Sequence, residues 1–72
     1  MGHVTAIVRG KPGFGAKDLQ TAIEPYLPRD WTARTISEGV VEISGHDVAG
    51  WTFDDYVQPR LASGLYFAER IE

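Results

Sequence analysis

The sequence predicts an α+β fold: one four-stranded antiparallel sheet with two helices on one face, in the order βαββαβ. Three observations predict it. Residues 3–9 alternate apolar and polar side chains, the period of a half-buried strand. Two later stretches place apolar residues three and four apart, the period of a helix with one buried stripe. Between them, two strand-like runs are separated by Glu38-Gly39, a two-residue gap that suits a hairpin.

Each element follows in chain order. In the first strand Val4, Ala6 and Val8 share one side, and Thr5, Ile7 and Arg9 the other. A turn rich in glycine, Gly10 to Gly15, ends it. From Ala16, the residues Leu19, Ala22, Ile23, Tyr26 and Leu27 form one stripe. Pro25 lacks the amide a helix interior needs, so the regular helix should stop near Glu24. Trp31 to Ser37 and Val40 to Ser44 are the hairpin strands, with Gly39 supplying a positive φ. Gly45 to Trp51 is expected to be loop. Thr52 then opens a second helix with stripe residues Phe53, Tyr56, Val57 and Leu61, and Thr52 with Asp55 matches a capping box. Trp51 should staple onto Tyr56. Pro59 should kink this helix, and Gly64 is the natural left-handed stop. Leu65 to Ile71 is the last strand. Right-handed crossovers then place strands one and three at the centre and two and four at the edges, the ferredoxin-like arrangement.

Composition bounds the function. With 72 residues the chain is expected to be a single domain spanning 1–72, too short for a multidomain enzyme. It has no cysteine, which excludes disulfides and thiolate metal ligands. A net charge of −3 opposes general nucleic-acid binding, which needs excess Lys and Arg against phosphate. No apolar run approaches the ~20 residues of a membrane span. Arg9 and Lys11 interrupt any apolar core of a signal peptide, so a cytoplasmic location is expected.

Motifs for chemistry are sparse. Gly10-Lys11-Pro12-Gly13-Phe14-Gly15-Ala16-Lys17 lies between a strand and a helix, where backbone amides can cradle an anion. Gly13, Gly15 and Lys17 are the anion-binding candidates. The loop departs from a nucleotide-binding Walker loop, because Ala16 stands before Lys17 and Asp18 replaces the magnesium-binding hydroxyl. It resembles the phosphate cradle of acylphosphatases. That resemblance implies a catalytic arginine after the loop and an asparagine nearby; here Lys17 stands near the first position and the chain has no asparagine. His3 and His46 have no ligand spacing around them, so no metal or cofactor is expected. No serine can be tied to a base, and helix capping accounts for Asp54-Asp55.

The helices should leave one sheet face open. Strand two adds Trp31, Ala33 and Thr35 or Thr32, Arg34 and Ile36, depending on its register; Ile7, Arg9, Val40 and Arg34 or Ile36, with Trp31 and Tyr66 near the edges, are therefore the candidate partner-binding residues. Tyr66 is chosen on the expectation that Phe67 packs with Leu65. Strand addition at an edge is a second route. RNA recognition on this face would call for aromatics on the central strands, and the positions there are Thr5, Ile7, Val40 and Glu42. The expectation is a non-enzymatic interaction protein that binds another protein or a second copy of itself as a homodimer.

The stretch Gly50-Trp51-Thr52-Phe53-Asp54-Asp55-Tyr56-Val57-Gln58-Pro59-Arg60-Leu61-Ala62-Ser63-Gly64 resembles the C-terminal part of small uncharacterised accessory proteins of actinobacterial phages. The resemblance implies a phage protein made inside a bacterial host and binding a host protein. It carries no catalytic or binding residues. The absence of asparagine and the excess of Arg over Lys fit a GC-rich source.

Overall fold

The computed structural model describes residues 2–10, 13, 15–47 and 52–71. Strand β1 (Gly2–Arg9) buries Val4, Ala6 and Val8 and leaves Ile7 half-buried and Arg9 exposed. Its alternation makes one face oily and the other mixed. Helix α1 (Ala16–Ile23) buries Leu19 and Ile23. Pro25 then forces a tighter 3₁₀ turn over Glu24–Tyr26, closed by the Leu27 amide donating to the Glu24 carbonyl at 3.1 Å.

Strands β2 (Thr32–Ser37) and β3 (Val40–Asp47) form the hairpin, and Gly39 has φ +73°. The pairing slips between Thr35 and Ser37, a bulge at the hairpin end. Gly45 and His46 are strand, not loop. Strand β1 is long enough to pair Val4 with Gly45 and His3 with His46, so the ladder continues to Asp47. Strand β4 (Phe67–Arg70) pairs antiparallel with β1. The sheet order is β2-β3-β1-β4, all antiparallel.

The second helical segment differs from expectation. Thr52–Val57 is a wide π-helical stretch and helix α2 covers Gln58–Ser63. Pro59 explains the break: it has no amide for the Asp55 carbonyl, and its ring would press on that carbonyl in an α-helix. It therefore falls in the first turn of α2, where its missing donor costs nothing, and starts a helix instead of kinking one. The wider winding also moves the stripe. Thr52, Phe53, Val57 and Leu61 are buried, while Tyr56 faces solvent. Asp47, buried beside this segment, accepts the Phe53 amide at 3.4 Å, a carboxylate at a helix start where the dipole favours it. Trp51, and with it the expected staple, lies outside the described residues.

The stop after α2 is also displaced by one residue. Gly64 has φ −89°, and the left-handed residue is Leu65 at φ +69°. The Tyr66 amide donates to the Leu61 carbonyl at 2.9 Å and the Leu65 amide to Ala62 at 3.0 Å. Those are the two bonds of a Schellman end with leucine in the usual glycine place. Gly64 is glycine for room: a Cβ there would lie 2.9 Å from the Tyr66 ring and 3.0 Å from the Tyr26 hydroxyl.

One core cluster joins Val4, Ala6, Val8, Val41 and Ile43 of the sheet to Leu19, Ile23, Phe53, Val57 and Leu61 of the helical segments. Both helical segments therefore pack on the same side of the sheet. None of the described helices is long and apolar enough to cross a membrane.

Candidate functional site

The sheet face away from the core follows from the register. Arg9 sits between Val40 of β3 and Phe67 of β4, and Ile7 between Glu42 and Glu69. Arg34 of β2 lies opposite Glu42 and Thr32 opposite Ser44. Beyond β4, the Ile71 amide donates to the Thr5 carbonyl at 2.8 Å, which carries the same alternation one residue further. The open face thus reads, across the sheet, Phe67-Arg9-Val40, then Glu69-Ile7-Glu42-Arg34, then Ile71-Thr5-Ser44-Thr32.

Its exposed apolar residues are large. Phe67 is 74% exposed and Ile71 52%. Two ion pairs flank them. Arg34 Nη2 donates to Glu42 Oε1 at 2.9 Å, and Arg9 lies 3.9 Å from Glu69. The two arginines and two glutamates cancel, while the whole chain carries −3. Thr32 and Ser44 hydroxyls are 3.3 Å apart. His3 and His46, exposed cross-strand neighbours, close the far end.

Ile7, Arg9, Arg34 and Val40 therefore do share this face. Trp31 and Tyr66 do not. Trp31 is 6% exposed; its indole lies flat over Gly45 and its Nε1–H donates to the His46 carbonyl at 3.3 Å. Tyr66 is 8% exposed and packs edge-on to Tyr26, with ring centroids 5.9 Å apart. The left-handed turn at Leu65 sets the strand's phase, so Phe67 takes the surface position assigned to Tyr66, and Leu65 is exposed. Both faces of residues 65–71 mix apolar and charged side chains, so alternation alone carried no signal for Phe67 and Ile71.

A glutamine bonds one backbone group on each edge of the sheet. Gln20 of α1 accepts both the Thr35 amide, at 3.0 Å, and the Thr35 hydroxyl, at 2.6 Å, through the same Oε1 on the β2 edge. Gln58 of α2 donates to the Ala68 carbonyl of β4 at 3.1 Å. A side-chain amide offers the same groups as a peptide bond, so each stands where an added strand would bond. This opposes the strand-addition route.

Of the anion-binding candidates, Gly13 has φ +100°, Gly15 precedes α1, and Lys17 is exposed. Asp18 turns its carboxylate toward Gly15, 3.9 Å from where a Cβ would stand, which places negative charge at the helix start. Lys11, Pro12 and Phe14 lie outside the described residues. Elsewhere, two clefts of ≈ 410 and ≈ 360 Å³ flank Trp31 and share Pro28 and Arg29 as walls. Among the described residues no three His, Asp or Glu side chains gather into a metal site.

The chain matches no known protein-family model, no curated protein and no solved structure.

Proposed function

We propose that this chain is a ferredoxin-like, non-enzymatic protein-interaction module that works in the cytoplasm, through the open face of its sheet. One observation carries the reading: Phe67, the most exposed large apolar side chain among the described residues, stands with Ile71, Ile7 and Val40 on the face that the helices leave uncovered. Apolar side chains grouped on a rigid sheet and ringed by charge favour burial against another protein. The occupied edges support the face over the edges as the contact surface. The resemblance of residues 50–64 to actinobacteriophage accessory proteins supports a bacterial host protein as one class of partner.

A pull-down from an actinobacterial lysate supplemented with untagged chain tests this. Three baits are compared: wild type, Phe67→Glu on the open face, and Asp54→Lys on the helical side. Capture of the same protein by wild type and Asp54→Lys, lost with Phe67→Glu, is the expected result. Equal capture by Phe67→Glu, or none by any bait, overturns it.

A further inference from the structure

Resting on the open-face reading above, we infer that the occupant of this face is a second copy of the chain, packed sheet to sheet about a two-fold axis parallel to the strands. Charge is the first argument. Two copies carry −3 each and repel as wholes, yet the open face is neutral, with Arg9 and Arg34 against Glu42 and Glu69. Contact between copies is least opposed there.

The arrangement of those charges is the second argument, and it selects the axis. Across the sheet one row reads Glu69-Ile7-Glu42-Arg34, with a glutamate on the β4 edge and an arginine on the β2 edge. A two-fold parallel to the strands lays this row over itself reversed. Each Glu69 then meets the partner's Arg34, twice over. An in-plane two-fold across the strands at this row would instead set Glu69 on the partner's Glu69 and Arg34 on the partner's Arg34. The first axis also brings Phe67 toward the β2 bulge, where Ile36 is 45% exposed. Glu42 comes over Ile7 in this packing, and its charge is already met by its own Arg34 at 2.9 Å. Identical twists let the sheets pack nearly aligned. Four strands of about six residues present roughly 20 Å by 20 Å, at the small end of specific interfaces, so the dimer is a weak, concentration-dependent one.

Sedimentation velocity over a concentration series, up to millimolar, tests this with Arg34→Glu and Glu69→Arg. Each variant alone sets like charges face to face and should weaken self-association at least ~10-fold. Mixed in equal amounts, the two make only opposite-charge contacts, and association should return to the wild-type level. Loss of the in-chain partner of Glu42 or Arg9 is the same in single variants and mixture, so it cannot produce that recovery. Far-UV circular dichroism confirms that each variant is folded. A wild type that stays monomeric, single variants that associate normally, or a mixture that does not recover would each overturn the second copy. The pull-down reads the open face independently of that outcome.

Discussion

Replacing Gly45 by alanine sets one methyl group against the indole of Trp31. An ideal Cβ at Gly45 would stand 2.3 Å from Trp31 Cγ and 2.4 Å from both neighbouring ring carbons. Those atoms lie at the root of the side chain, so no small rotation clears them. The ring is also held by its bond to the His46 carbonyl. Alanine must therefore expel the indole or buckle β3. Losing a buried tryptophan costs about 3–5 kcal/mol. A chain of 72 residues has a total stability of about 4–11 kcal/mol, so the substitution should remove a large part of it. Trp31→Ala should cost a similar amount. The double variant separates the mechanism from a general weakness of β3. Once the indole is gone, the methyl has room, so Trp31→Ala/Gly45→Ala should be no less stable than Trp31→Ala alone, a coupling of about 3 kcal/mol or more. Urea unfolding followed by far-UV circular dichroism measures all four corners of the cycle. Additive costs, or a Gly45→Ala penalty below about 1 kcal/mol, would refute the reasoning.

Two further outcomes are expected. Leu65→Gly should raise stability by about 0.5–1 kcal/mol, because leucine pays for a left-handed backbone that glycine adopts freely, whereas Gly64→Ala should lower it by about 1–3 kcal/mol. In thermal melts a gain of 1 kcal/mol appears as about 4–8 °C at this chain length, and a loss from both would show the left-handed residue to be misplaced. Gln20→Ala should speed hydrogen exchange at the Thr35 amide, and Gln20→Ala/Gln58→Ala should scatter light at concentrations where the wild type stays clear; unchanged exchange and scattering would remove the edge-blocking role.

Much of the architecture was legible in residue order. The alternation of Val4, Ala6 and Val8, the stripe of Leu19 and Ile23, and Gly39 between two strands are local patterns, and local geometry obeys them. What escaped depended on pairing partners or on backbone phase. Gly45 and His46 look like loop residues until β1 is seen to run beside them. Pro59 announces an interruption but does not say that the chain will widen before it, which turns Tyr56 outward. The site was half legible for the same reason. Ile7, Arg9 and Val40 follow from alternation in strands whose phase is fixed by the core, whereas β2 has no buried face and Arg34 is placed only by its pairing with Glu42. Phe67 and Ile71 depend on the turn at Leu65, where an apolar residue occupies a conformation its type rarely adopts, and no pattern in residues 65–71 marks it.

The glutamines at the two sheet edges bear on how large an assembly can become. A sheet with bare edges can add strands sideways without limit, and small β-rich chains that do so end as fibres. Here Gln20 and Gln58 occupy the Thr35 amide and the Ala68 carbonyl with groups carried by the chain's own helices. One bonding position on each edge is thus already taken, which hinders lateral growth. The remaining direction is perpendicular to the sheet, and helices close one of its two senses. A second copy on the open face, as inferred above, would use up the other. Association in that mode would be self-limiting: raising the concentration would fill one surface and leave little room for further growth.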